Sequence, residues 1–142
     1  LIGQLSGNRG AIPLLEANLD KICWSILSYN PEAIHILKAN PDKLDWFWLS
    51  DNPEAISLLE AKIKEPPIVN KKKYSYDYHN KIVWEFISGN PGAIPLLEKY
   101  PDKIVWKHLS KNPNIMDLFN YNFNTIEYGI FNQHLGLHKR KK

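Results

Sequence analysis

Asn-Pro recurs at residues 30–31, 52–53, 90–91 and 112–113, always two residues after a serine and six after a tryptophan. The serines are Ser28, Ser50, Ser88 and Ser110, and the tryptophans are Trp24, Trp46, Trp84 and Trp106. Residues 21–42 ("KICWSILSYNPEAIHILKANPD") run into 43–64, and 81–102 run into 103–124, each pair offset by 22 positions. The ends follow the same register, with "LSGNRGAIPLLEANLD" at 5–20 and "TIEYGIFNQH" at 125–134, where Tyr128 stands in the tryptophan place. A unit this short cannot bury its own apolar face, so neighbouring copies must stack on one another.

Within a copy, apolar residues fall three and four apart, as in Leu44, Trp46, Trp48 and Leu49, which predicts a helix over about 42–50. Asn-Pro then closes one helix and opens the next. Proline keeps the residue before it out of helical geometry, asparagine is a good N-cap, and proline fits the first helical turn. Pro13 and Pro95 fall further into "AIPLLE", so those two helices are expected to start late or with an irregular turn. Helices of about 8 to 11 residues do not stand alone in water. Ile34, Ile36 and Leu37 in one copy, with Ile56, Leu58 and Leu59 in the next, are expected to form a continuous core, and the four repeated tryptophans to join it.

The expected fold class is therefore all-α, a solenoid of short helix-turn-helix repeats with a 22-residue period, as one domain over 1–142. Its hand is left open. Residues 65–80, "EPPIVNKKKYSYDYHN", break the period and predict a loop insertion, and 139–142 form a basic tail. Insertions in repeat arrays often emerge on the binding face. Lys71, Lys72, Lys73, Tyr74, Tyr76 and Tyr78 are accordingly the candidate interaction residues, with a polar linker as the plainer alternative.

The search for chemistry finds no glycine-rich phosphate loop, no His-Glu metalloprotease motif and no nucleophile elbow. The recurring serines come once per copy, which suits helix-end hydrogen bonding or close packing rather than a unique nucleophile. Glu16, Glu60 and Glu98 share one register with Lys38, an exchange no general acid would survive. Of the histidines, only His134 and His138 have i,i+4 spacing. Gly136 lies between them and no cysteine pair completes a zinc set. The single Cys23 rules out an internal disulfide and is expected to be a buried thiol. No enzyme, cofactor or metal is expected.

Composition narrows the partners. The formal charge is +3, but Lys139, Arg140, Lys141 and Lys142 alone supply +4, so the rest is close to neutral. Nucleic acid is possible through the two lysine clusters but is not favoured. No apolar run approaches the roughly 18 residues of a membrane span, and the first residues do not read as a signal peptide. The chain lacks an initiator Met, as a trimmed product or a piece of a longer chain would.

At the level of "WxxLSxNPxAIxLLExNPDKI", residues 20–60 and 81–119 resemble a short helical repeat found in proteins of giant nucleocytoplasmic DNA viruses, of the mimivirus and related kinds. The likeness to ankyrin arrays is confined to paired short helices; the roughly 33-residue period and "TPLH" signature are absent. The resemblance implies a viral protein acting in the cytoplasm or nucleus of an infected host cell, or in the virion. It carries over no catalytic or binding residue. The expected function is a non-enzymatic scaffold for interaction with a host or viral protein. The alternatives are a virion or assembly component and a nucleic-acid-associated accessory protein acting through the basic insertion and tail.

Overall fold

The computed structural model describes residues 1–66 and 78–122, with side chains described as far as 118. They fall into two compact units, Leu1–Val83 and Trp84 onward. Every regular element among the described residues is helical and none is long. The first unit contains α1 (Ile12–Glu16), α2 (Trp24–Tyr29), α3 (Ile34–Ala39), α4 (Trp46–Leu49) and α5 (Ile56–Lys64). The second contains α6 (Trp84–Gly89), α7 (Ile94–Lys99), α8 (Trp106–Leu109) and α9 (Ile115–Asn122). Short 3-10 turns link them, among them Pro31–Ala33, Pro41–Lys43, Tyr78–Asn80 and Pro101–Lys103.

Asn-Pro opens a turn rather than an α-helix, which corrects the expectation from sequence. Asn30 is extended (φ −78°, ψ 112°), its Oδ1 accepts the Glu32 N–H, and Pro31–Ala33 make one 3-10 turn before α3 begins at Ile34. The delay is general, because α1, α5 and α7 begin at the matching Ile12, Ile56 and Ile94. Pro13 and Pro95 thus fall in the first turn of their helices, where backbone N–H groups have no intrahelical acceptor in any case. They cost those helices nothing.

The helix expected over 42–50 is also shorter. Pro41–Lys43 form a 3-10 turn, Leu44 (ψ 130°) and Asp45 (ψ 98°) are extended, and α4 covers only Trp46–Leu49. The reason is tertiary. The Asp45 N–H donates to Ser28 Oγ in the preceding copy (3.1 Å), not to a carbonyl four residues back. Cys23 donates likewise to Ser6 Oγ (3.0 Å), and Val105 to Ser88 Oγ (2.9 Å).

Ser6, Ser28, Ser50 and Ser88 are buried junctions, whereas Ser110 is exposed and donates to Lys107 O (2.9 Å). Ser28 and Ser50 donate their hydroxyls to Trp24 O (2.8 Å) and Trp46 O (2.7 Å) within their own helix, while Oγ accepts from the chain that follows. The asparagines bridge in the opposite direction. Asn52 Nδ2 donates to Ser28 O (2.9 Å) and Asn30 O (3.2 Å), 24 and 22 residues back. Asn30 makes the same pair with Ser6 O and Asn8 O, and in the second unit Asn112 does so with Ser88 O and Asn90 O. Ser28, Ser50, Ser88, Asn30, Asn52, Asn90 and Asn112 are all buried. Buried polar groups persist when they are hydrogen-bonded, and here the partners lie in the adjacent copy.

The aliphatic core of the first unit includes Leu15, Leu27, Leu37, Leu49 and Leu59, and that of the second includes Ile87, Leu97 and Leu109. Each is worth about 1.5–3 kcal/mol on burial. Ala33, Ala55 and Ala93 close the second helices against it. Of the expected core, Ile36, Leu37 and Leu59 are buried, whereas Ile34, Ile56 and Leu58 are half-exposed. Only Trp46 of the four tryptophans is buried, and Cys23 is partly exposed. A helix of four to six residues makes little more than one turn. It can therefore turn only a narrow strip inward: in α2 and α6 that strip is Leu27-Ser28 and Ile87-Ser88, in α8 it is Leu109, and in α4 Trp46 is buried along with Leu49 and Ser50.

Candidate functional site

Tyr78 is the one candidate interaction residue within the described structure. It is 62 % exposed and begins the 3-10 turn Tyr78–Asn80 at the downstream end of the insertion. Lys71, Lys72, Lys73, Tyr74 and Tyr76 lie outside the described residues, as do Lys139, Arg140, Lys141, Lys142, His134 and His138.

The downstream end of the insertion is held by two contacts. Val83 N–H donates to Ser50 Oγ (3.0 Å), the same rung that joins other copies, although the residues are 33 apart instead of 17. The rung thus forms across the insertion as it does between copies joined directly. Beside it, His79 Nδ1 meets the Asp45 carboxylate, whose other oxygen accepts the Trp48 N–H (3.4 Å). Asp45 is 3 % exposed. In the other three copies that carry the tryptophan the matching residues are Cys23, Val83 and Val105, so among these four a carboxylate stands only in the copy that the insertion follows. A buried carboxylate needs donors, and the insertion supplies one. Sequence reasoning missed Asp45, yet its oddness at an apolar register was a visible signal.

The outer face of α2 and α4 carries a second group. Ile26 (43 %), Tyr29 (48 %) and Trp48 (41 %) are exposed. Tyr29 meets the Trp48 ring edge-on at 6.3 Å, and Phe47 meets Trp48 at 5.2 Å. One turn beyond Trp48 is Asp51, whose N–H donates to Trp48 O (3.2 Å). Burial pushes its carboxyl above the usual 3.8. The folded chain therefore holds this proton at pH values where the unfolded chain has released it. Stability falls as pH rises through that window and stays lower above it. Asp51→Asn should raise the melting temperature near neutral pH and leave it unchanged in acid below about pH 3, where aspartates are protonated in either state. A pH-independent gain in a calorimetric series would show that desolvation is not the cause.

Other polar features are simpler. His35 and Glu16 pair across α3 and α1 at 2.7 Å with both side chains about half exposed, an arrangement worth less than about 1 kcal/mol. A groove of ≈ 330 Å³ is lined by Arg9, Pro31, Glu32, Ile34, Pro53 and Glu54 and holds no serine, cysteine or histidine. No group of three or more His, Cys, Asp or Glu side chains among the described residues is placed to share a metal ion. No described helix is long and apolar enough to cross a membrane. Comparison of the chain with protein-family models, curated proteins and solved structures finds no match.

Proposed function

We propose that the chain is a non-enzymatic scaffold for protein–protein interaction, a solenoid of 22-residue helical repeats that displays the insertion 65–80 and the variable outer positions of its first helices. The observation that carries this reading is the Ser50–Val83 rung. The same bond forms whether 17 or 33 residues separate donor from acceptor, so the rung itself does not depend on the length of the sequence between them. The recurrence of Asn Nδ2 bonds 22 and 24 residues back, in each unit separately, supports the repeat architecture. Inward positions carry the ladder, leaving outward ones to vary from Ile26 to Trp48 and from Glu85 to Lys107. The resemblance to repeats of giant-virus proteins makes an infected eukaryotic cell the setting to test.

The test is affinity capture from infected cells with the intact chain beside a chain lacking 65–80 and carrying Asp45→Val, which removes the carboxylate that the deletion would leave without its histidine partner. A protein recovered by the intact chain and lost with the insertion is the expected result. Recovery of nucleic acid alone, sensitive to nuclease and to removal of 139–142, would replace this reading with the accessory-protein one.

A further inference from the structure

We infer that the outer face formed by Tyr29, Trp48 and Asp51 is a docking surface for a lysine- or arginine-bearing segment of a protein partner. This rests on the scaffold reading but places a contact on the helices, away from the insertion. Trp48 and Asp51 are three residues apart across the end of α4, and the Asp51 N–H donates to Trp48 O (3.2 Å), which holds the two residues within one turn of each other. Trp48 also packs edge-on against Tyr29 of the preceding copy, which extends the aromatic surface across two helices. Both rings remain nearly half exposed.

The chemistry of this face selects its occupant. Aromatic faces attract cations, and an adjoining carboxylate adds to the attraction. Among the described residues Asp51 has no ion pair, so its charge is partly desolvated and uncompensated. A lysine or arginine suits both features, because its aliphatic stem covers the rings while its charged head reaches the carboxylate. A phosphate backbone would be repelled by the same carboxylate. Elsewhere in the chain a lysine already adopts this pose: Lys62 Nζ lies 5.1 Å from the Trp46 ring centre.

The experiment is fluorescence anisotropy with a labelled peptide, Gly-Arg-Lys-Gly-Arg-Lys-Gly, against the full chain. The controls are the same peptide with glutamine at each cationic position and a labelled single-stranded DNA. The expected result is binding of the cationic peptide alone, weakened about tenfold by Trp48→Ala and about tenfold by Asp51→Asn. Glu16→Ala, an exposed carboxylate on α1, should leave it unchanged, and melting curves should show all three variants folded. Absence of cationic-peptide binding, equal binding of the glutamine peptide, or indifference to both substitutions would overturn the proposal. The chain lacking 65–80 with Asp45→Val separates it from the insertion reading: retained binding supports the helical face, and binding lost only there assigns the contact to the insertion.

Discussion

Asn52→Ala is expected to destabilise the first unit by about 2–4 kcal/mol, although asparagine to alanine is a modest change in size. The Nδ2 of Asn52 reaches Ser28 O and Asn30 O, and its Oδ1 accepts the Glu54 N–H (3.0 Å). Asn30 O keeps a second donor in the Ala33 N–H (3.1 Å), and Glu54 is exposed enough to find water. Ser28 O has no such substitute and is left buried without its partner. Asn52→Asp should cost more than alanine, because a carboxylate oxygen would then face two carbonyl oxygens in a buried site. Asn8→Ala is the control. Asn8 is exposed and caps only the Gly10 N–H (2.9 Å), so its loss should stay below about 1 kcal/mol. Urea unfolding of the three variants measures the difference, and equal losses at Asn8 and Asn52 would reduce the asparagines to local caps.

The second large effect concerns the insertion. Deleting 65–80 joins Lys64 to Lys81 and shortens the Ser50–Val83 spacing from 33 to the 17 found between Ser28 and Asp45. The rung should form again, so the shortened chain is expected to fold. It will be weaker than the parent by about 1–3 kcal/mol, because His79 goes with the insertion and the buried Asp45 carboxylate loses that donor. Adding Asp45→Val, the residue at the matching positions 83 and 105, should return most of that loss. Deleting 67–80 instead leaves the rung two residues out of register and should impair folding in either background. Melting temperatures and helical circular dichroism decide it. If Asp45→Val fails to rescue the 65–80 deletion, His79 is not what the insertion contributes to the fold.

Much of this was visible in the sequence, and the gaps have identifiable causes. Helices could be read because three-to-four spacing and the Asn-Pro signal act locally. The asparagines were explained by that signal alone, yet Asp, Ser or Thr would cap as well. Four asparagines at one register ask for a donor as well as an acceptor, and for Asn30, Asn52 and Asn112 the donor's partners lie 22 and 24 residues back. The tryptophans misled because hydrophobicity was equated with burial. At the first position of α2, α6 and α8 the ring is only partly buried, whereas Trp46 of α4 is buried. The candidate interaction residues other than Tyr78 lie outside the described structure. Asp45 and Trp48 already stand out in their registers, Asp45 against Cys23, Val83 and Val105 and Trp48 against Ile26, Phe86 and His108, whereas Tyr29 joins Trp48 only through contact between copies.

By itself the sequence determined the helical character, the repeat register and the place where it is interrupted, since each depends on residues close together in the chain. The tertiary structure decided where each helix begins and ends, which serine and asparagine atoms are satisfied, and which aromatic rings face outward. The physical reason is one kind of bond. A backbone N–H drawn to the serine of the preceding copy cannot also continue its own helix, so contact between copies sets the local geometry.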